Sequence, residues 1–349
     1  TLQLVARILF LTSSYPAAPD EGVAGFVDDL ARVLVEAHGH EVRVLAPAPG
    51  ETAAFAPVAV ERFRHPWPGR RRLTSDADLA GGGVARLETL SFVAAFAARA
   101  RRAARWTDVV CSHWLVPAGA VGAIAGRPHV VVAHGGDVHL LERLPGGARI
   151  ARAITGRSRR VVAVSDDLAR RVVRLSPGAR VDVVPMGAAI GPPPDPADVR
   201  RFRAETGAAD RPVALFLGRL VPIKGADLLV EAAARVPGLA VWIAGDGPDL
   251  ARLREQARVA RLDVSFLGRV DRRRRRLALE AADAIVVPSR IDASGRMEGA
   301  PVVCAESYAA GRPVVATRTG GLVEIVEENR TGLLVAPADA ASLPAAPAR

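Results

Sequence analysis

Two basic residues in the second half of the chain have the spacing of an anion-binding loop. Arg219 and Lys224 lie five residues apart, directly after the apolar run 213–217. Lys224 is the only lysine, so 46 of the 47 basic residues are arginines. Arginine offers a planar fork of donors and lysine a compact charge, a combination suited to a diphosphate at the end of a strand. A chance surface lysine is the alternative, and the loop alone does not decide between the two.

Two glutamates further along the chain form a second candidate pair. Glu298 and Glu306 are eight residues apart, close to two helical turns, so both carboxylates can face one ligand. Gly299 and Ala300 are small, and Pro301 near the first turn costs no needed hydrogen bond, so backbone N–H groups there can meet a phosphate. A carboxylate at position 306 can accept hydrogen bonds from a ribose diol. The alternative is an ordinary helix with Glu306 exposed.

In the first half of the chain the candidates are a histidine and a glycine-containing loop. His134 follows the apolar run 130–133, and a residue at the carboxyl end of such a strand faces the edge where α/β proteins bind ligands. The alternative is a histidine held in a turn with Asp137. Gly22 and Gly25 precede a predicted helix, where glycine lets the backbone approach a phosphate. The loop is not G-x-G-x-x-G, so this signal is weak alone.

The remaining histidines and the cysteines do not indicate a metal site. His113 ends the strand before that of His134, and we predict that it lines a pocket rather than acting as a catalyst. The seven histidines are dispersed, and Cys111 and Cys304 have no near partner, so we expect no metal and no other cofactor. Two cysteines cannot form a disulfide framework, which favours a reducing cytoplasm.

The composition is that of a globular protein with a strong positive charge. Of 349 residues, 50% are hydrophobic and 24% charged, and no apolar run reaches the roughly 18 residues that span a bilayer. The net charge of +10 is compatible with solvated arginine runs, an anionic substrate or an anionic membrane surface. Nucleic acid is not favoured, because only 4% of residues are aromatic and no nucleic-acid-binding motif is present.

Apolar runs alternate with amphipathic helical stretches throughout, the pattern of parallel α/β sheets. The run Gly-Pro-Pro-Pro-Asp-Pro at 191–196 interrupts every periodic element. We therefore predict domains over 1–190 and 211–349, with a linker over 191–210. The tail, rich in Ala and Pro with no helical pattern, predicts a C-terminal domain that is truncated. The predicted strands are 8–12, 41–46, 108–112, 129–133, 161–164 and 181–184, then 213–217, 240–244, 264–267, 284–287, 314–316 and 332–335.

These motifs, taken in order, resemble family 4 of the retaining nucleotide-sugar glycosyltransferases. The resemblance is dense over 213–337 and looser in the first half, and it is strongest to members that build bacterial cell-surface polysaccharides. It implies the GT-B fold, in which two Rossmann-like doubly wound domains face each other across a cleft. The matching stretches are 218–225, 244–248, 266–268, 288–289, 298–306, 310–316, 320–324 and 332–335, with 39–42, 113–114 and 134–137 in the first half.

The resemblance also implies roles for individual residues. Arg219 and Lys224 would neutralise the donor diphosphate and stabilise the leaving nucleoside diphosphate. Glu306 would hold the ribose hydroxyls, and Glu298 would lie beside the donor sugar. The other implied donor-site positions are His134 at the sugar, Gly22 and Gly25 at the phosphate, Gly245 and Gly268 at the base, and the backbone of Gly299, Ala300 and Pro301 at sugar and phosphate. No side chain is an obvious nucleophile, and the family implies front-face attack.

Three departures from the family pattern accompany this resemblance. Gly22 and Gly25 are separated where many members have adjacent glycines, and the loop 290–297 is longer than usual. Family members normally continue past Val335 with further helices.

The predicted function is transfer of a hexose from a nucleoside-diphosphate sugar to a glycan or lipid-linked acceptor, in cell-surface polysaccharide or glycolipid biosynthesis. The protein would be cytoplasmic, with peripheral contact between its basic N-terminal domain and the anionic inner face of the membrane. One alternative is a sugar-nucleotide epimerase of the same fold, which should lack the glutamate pair beside the Arg219–Lys224 loop. A truncated, inactive nucleotide-sugar binding protein is the other.

Overall fold

The computed structural model describes residues 5–18, 24–48, 55–64 and 84–337. The chain forms two compact units that divide between Pro185 and Met186. Each unit is built on one sheet of parallel strands. Alternate residues of a central strand enter different clusters, with Leu215 in one and Phe216 in the other. Both faces of the sheet are therefore covered, as expected for an all-parallel sheet with near-continuous apolar strands.

The N-terminal unit contains a seven-stranded sheet in the order β3-β2-β1-β4-β5-β6-β7. One strand, β3, was not predicted, because only Phe63 of its five residues is buried and polar residues interrupt the apolar pattern. The strands are β1 (Arg7–Thr12), β2 (Glu41–Pro47), β3 (Ala59–Phe63), β4 (Val109–His113), β5 (His129–Ala133), β6 (Arg160–Ala163) and β7 (Val181–Val183).

The helices of this unit follow the strands as crossovers. A π-helical turn over Leu115–Gly119 leads into the short helix α3. The helices are α1 (Gly25–Glu36), α2 (Val84–Ala103), α3 (Ala120–Gly122), α4 (Gly136–Arg143), α5 (Gly147–Thr155) and α6 (Asp166–Leu175). None of the helices in the described part of the chain is long and apolar enough to cross a membrane.

The C-terminal unit contains a six-stranded sheet in the order β10-β9-β8-β11-β12-β13. Its strands are β8 (Val213–Leu217), β9 (Ala240–Ala244), β10 (Val264–Gly268), β11 (Ala284–Val287), β12 (Val314–Thr317) and β13 (Gly332–Val335). Its helices are α7 (Pro196–Glu205), α8 (Ala226–Ala233), α9 (Leu250–Val259), α10 (Arg272–Ala281), α11 (Val302–Ala309) and α12 (Leu322–Ile325).

Half of the segment predicted as a linker, 10 of its 20 residues, is helix α7. The Asp195 carboxylate accepts a hydrogen bond from the Ala197 N–H and caps the helix, and Pro196 occupies the first turn, where its missing N–H costs nothing. Phe202 packs edge-on against the fully buried Trp242, with ring centroids 5.3 Å apart. Helix α7 is therefore part of the C-terminal core.

The parallel sheet explains how residues far apart in sequence reach one edge. In the C-terminal unit, the loops after β8, β9, β10, β11 and β12 all leave the carboxyl edge of the sheet. This edge therefore contains the loops of Arg219 and Lys224, of Gly245, of Gly268 and of Glu298. In the N-terminal unit, the corresponding edge contains the residues that follow β4 and β5, including His134.

Candidate functional site

The loop that contains Lys224 is fixed by backbone contacts. Pro222–Lys224 forms one turn of 3₁₀-helix that ends at Gly225, which has φ +67°. A Cβ at Gly225 would lie 2.0 Å from the carbonyl oxygen of Pro288, after β11. The Arg290 N–H donates to the Ile223 carbonyl at 2.8 Å. The loops after β8 and β11 are thereby held against each other.

The neighbouring loop after β9 is joined to the Arg219 loop in the same way. A Cβ on Gly245 would lie 1.8 Å from the Gly218 carbonyl oxygen, so only glycine allows this approach. The Gly245 N–H in turn donates to the Gly268 carbonyl at 2.8 Å. The loops of Gly218, Gly245 and Gly268 thus form a continuous backbone surface along the carboxyl edge.

The tightness of the Gly225 contact leads to a prediction of its own. We expect Gly225→Ala to lower the free energy of unfolding of the protein by clearly more than Gly311→Ala. Both glycines have nearly the same positive φ, +67° and +68°, but the space around Gly311 is open. Gly311→Ala should therefore cost only the left-handed backbone strain of about 1–2 kcal/mol, whereas Gly225→Ala must also push the loop away from Pro288. Urea denaturation measures the free energy of unfolding of both variants. Equal losses of this free energy would contradict the close contact between Gly225 and Pro288.

Lys224 and Glu298 form an ion pair with each other. The second oxygen of Glu298 accepts a hydrogen bond from the Ser289 hydroxyl at 2.5 Å. Their side chains are 25% and 14% exposed, so the pair is largely shielded from water. Two of the residues predicted at the donor are thus together, and each neutralises the charge of the other.

Glu306 is more deeply buried than the sequence indicated. It lies in α11, and its carboxylate forms an ion pair with Arg275 from the start of α10. The Glu306 side chain is 3% exposed and that of Arg275 is 27% exposed, so the guanidinium lies on the outer side of the pair. The arginine run 272–276 is therefore not solvated throughout, because Arg276 is also buried and pairs with Glu280.

Arg219 differs from the other charged residues of this edge. Its side chain is exposed, and it forms no ion pair with any residue in the described ranges. Pro301 caps the start of α11, and Gly299 and Ala300 in the preceding loop are partly exposed. The edge therefore presents one uncommitted guanidinium and a helix start, both suited to a phosphate.

The loop 290–297 is anchored by a partly buried ion pair. Arg290 binds Asp227, in the first turn of α8, through both guanidinium nitrogens at 2.7 and 2.9 Å. Burial disfavours the Asp227 carboxylate, but the hydrogen bonds and charges of Arg290 and Arg252 together outweigh burial and lower its pKa from the ordinary value. The Asp292 carboxylate then accepts N–H bonds from Ser294 and Arg296.

In the N-terminal unit, His134 is held through both its backbone and its ring. Its N–H donates to Asp137 at 3.2 Å, as the turn interpretation expected. Its ring nitrogen Nε2 lies 3.1 Å from Nδ1 of His113. Burial and the neighbouring His113 hold the pKa of His134 well below its usual value, so the ring is neutral at pH 7. Gly25 is the first residue of α1, and a Cβ added there would have no atom within 4 Å. Gly22 lies outside the described residues.

Sequence reasoning missed two partners of these residues. Ser289 bonds Glu298 and Arg275 pairs with Glu306, and neither contact was predicted, although Ser289 lies in the matching stretch 288–289. Asp137 is the partner of His134 that the alternative turn interpretation names. Across residues 5–18, 24–48, 55–64 and 84–337, no group of three or more His, Cys, Asp or Glu side chains is arranged to hold a metal ion.

Comparison with known proteins identifies the family. A model described as "Glycosyl transferases group 1" matches residues 211–349, and one described as "Glycosyltransferase Family 4" matches 21–190. A GDP-mannose-dependent alpha-(1-6)-phosphatidylinositol monomannoside mannosyltransferase of Mycobacterium tuberculosis is 30% identical over 357 residues, covering 95% of this chain and 85% of the relative. The chain belongs to glycosyltransferase family 4. The predicted family and the hexosyltransferase activity are confirmed, and the epimerase alternative is not favoured.

Further relatives of this glycosyltransferase agree. A D-inositol 3-phosphate glycosyltransferase of Mycobacteroides abscessus is 42% identical over 167 residues, 45% of this chain and 36% of that protein. Among solved structures, sucrose-phosphate synthase from Thermosynechococcus elongatus has a TM-score of 0.76 at 23% identity, covering 98% and 88% of the two chains. Anabaena HepE in complex with UDP and glucose has a TM-score of 0.73 at 22% identity, covering 97% and 88%. These structures confirm the predicted fold class, two parallel-sheet α/β domains of the GT-B type.

Proposed function

We propose that this glycosyltransferase binds a nucleoside-diphosphate hexose through its C-terminal unit and transfers the hexose, with retention, to a glycan or lipid-linked acceptor. The process served would be the biosynthesis of cell-surface polysaccharide or glycolipid. The observation that carries the proposal is the Lys224–Glu298 ion pair, which joins the loop after β8 to the loop that precedes α11. The loop after β8 also contains the exposed Arg219. Two cations and a helix start at one edge of the sheet suit a diphosphate.

In the proposed reaction, the bond between the sugar C1 and the diphosphate oxygen breaks as the acceptor oxygen bonds to C1 from the same face. The acceptor proton goes to a phosphate oxygen of the leaving nucleoside diphosphate. Lys224 and Arg219 stabilise the charge that develops on the diphosphate. Glu298, released from Lys224, accepts hydroxyl hydrogen bonds of the donor sugar. No step in this scheme needs a metal ion or another cofactor.

We propose further donor contacts for the remaining residues that the sequence indicated. Glu306 holds the ribose diol, with Arg275 as its counter-ion, and the backbone at Gly245 and Gly268 meets the base. The backbone of Gly299, Ala300 and Pro301 meets sugar and phosphate. His134 contacts the sugar, and Gly25, together with Gly22, approaches the phosphate.

The first donor to test is GDP-mannose, because the mannosyltransferase of Mycobacterium tuberculosis described above is GDP-mannose-dependent. UDP-glucose and ADP-glucose are the alternatives. A donor present at 100 times its Kd should raise the free energy of unfolding by about 2.7 kcal/mol, which thermal shift detects as a higher Tm. The matched control is Arg258→Met, in which an exposed arginine paired with Glu255 is removed from α9, and it should shift as the wild type does. If none of the three donors raises Tm, the donor-binding proposal fails.

We also propose that the protein makes peripheral contact with the anionic inner face of the cell membrane. Arg99, Arg101 and Arg102 are all exposed near the end of α2, and Leu87 and Leu90 are exposed on the same helix. A helix that exposes both arginines and apolar side chains suits a surface of acidic lipid headgroups.

A further inference from the structure

Two imidazole rings meet at the carboxyl edge of the N-terminal sheet. His113 is the last residue of β4, and His134 directly follows β5, which pairs with β4. The rings are nearly parallel, at 18°, with centroids 5.3 Å apart. Nδ1 of His113 and Nε2 of His134 are 3.1 Å apart, so one of these nitrogens donates to the other.

Both rings are held in place by their surroundings. The Asp137 carboxylate accepts N–H bonds from Gly135 at 2.9 Å and from Leu115 at 2.6 Å, which ties the ends of β4 and β5 together. The ring of Trp114 lies 5.0 Å from that of His134, and Phe26 lies at the same distance. These neighbours set the orientation of the His134 ring. They do not determine which of its ring nitrogens carries the proton.

The buried Nε2 of His113 decides which ring nitrogen of His134 carries the proton. Its Nε2 is enclosed and has no hydrogen-bond partner in the described part of the chain. Burial also lowers the pKa of His113 to about 3, so the ring carries one proton only. If His134 donated, His113 would hold that proton on Nε2 and leave an enclosed N–H unpaired. Buried N–H groups without a partner are rarer in proteins than buried acceptors without one. The favoured arrangement has His113 donating from Nδ1.

We propose that His113 is a positioning residue that fixes the tautomer of His134, so that His134 carries its proton on Nδ1 and presents this N–H to a hydroxyl of the donor sugar. The inference rests on the proposed function of His134. The Nδ1 atom makes no hydrogen bond to the described residues, and the ring is only partly buried. A neutral imidazole whose proton is fixed on Nδ1 donates a hydrogen bond from that nitrogen to a hydroxyl oxygen. A mixture of the two tautomers would donate from Nδ1 only part of the time.

The ¹⁵N NMR spectrum of the labelled full chain tests the tautomer without any substrate. We expect the wild-type His134 to show a protonated Nδ1 and an unprotonated Nε2. His113→Phe removes the donor and should produce a mixture of tautomers, whereas His113→Gln retains an N–H donor and should restore the wild-type pattern. The control is His129→Gln, a buried histidine of the same sheet that bonds Ser112 and Ser158, which should leave the His134 pattern unchanged. A wild-type His134 protonated on Nε2 would overturn the proposal.

Kinetics then separate positioning from a purely structural role. His113→Phe should lower kcat/KM for the donor by up to about tenfold, the value of one hydrogen bond, and should have no further effect in a His134→Ala background. An equal loss in both backgrounds would assign His113 to packing alone and overturn the proposal. If His113→Phe does not fold, the wild-type spectrum and His113→Gln still decide the tautomer. Full activity of His134→Ala would remove His134 from the proposed function, whereas the NMR result would stand independently.

Discussion

Replacing Lys224 with methionine is expected to lower kcat for hexose transfer by about 10²–10³-fold, the usual effect of losing one preorganised group at a developing negative charge. Methionine keeps much of the length of lysine and removes its charge. The loop should keep its shape, because Gly225 and the Arg290 N–H hold it through backbone contacts. A discontinuous transfer assay gives kcat, and circular dichroism checks the fold.

A second substitution separates the loss of catalysis in Lys224→Met from the loss of stability that follows from breaking the ion pair. Lys224→Met leaves Glu298 without its cation, so some loss of stability is expected. Adding Glu298→Gln to Lys224→Met should recover that stability without recovering activity. Arg258→Met, an exposed arginine of the same unit, is the control. A Lys224→Met enzyme with near wild-type kcat would remove Lys224 from the mechanism.

Glu306→Gln is expected to weaken binding of the nucleoside diphosphate by about 10- to 100-fold. A hydrogen bond to a charged acceptor contributes about 1.5–3 kcal/mol, and the amide of glutamine offers the ribose diol only one uncharged acceptor. The carboxylate is 3% exposed, so water does not replace the lost interaction. Isothermal titration calorimetry with the nucleoside diphosphate measures the change in Kd.

The ribose assignment has its own discriminating measurement. The wild type should bind the 2′-deoxynucleoside diphosphate more weakly than the ribonucleotide, and Glu306→Gln should lose most of that preference. Glu255→Gln, an exposed carboxylate of α9, should keep it. If Glu306→Gln still discriminated fully between the two nucleotides, another residue would hold the diol and Glu306 would be a structural partner of Arg275.

Much of the fold could be predicted from the sequence because most strands are buried on both faces. The runs 213–217 and 240–244 are continuously apolar, and the observed strands have the predicted bounds. In β3 the apolar signal fails, since an edge strand buries little of its surface. The helix over 196–205 was hidden by Pro196 at its first position and by the three prolines before it, since proline breaks a helix in its interior but is ordinary at its start.

The candidate site was only partly readable, for a different reason. Arg219 and Lys224 stand out because they share one short loop after a strand. The ion partner of Lys224 cannot be read in this way, because Glu298 reaches it through the order of strands in the sheet. Within the run 272–276 every residue is arginine, and only the rotation of α10 decides that Arg275 and Arg276 turn inward.

The glycine contacts have a consequence for redesigning this enzyme. Gly225 and Gly245 hold the loops of the edge together through main-chain atoms, so the loop framework does not depend on the side chains that project from it. Asp246 is exposed on that framework, whereas the exposed Arg219 is assigned to the diphosphate and is not one of the positions to vary. The chain therefore separates the positions that hold the shape of the edge from those that can be varied. Variant libraries that aim to change donor preference have room at the exposed side chains, and should leave the two glycines intact.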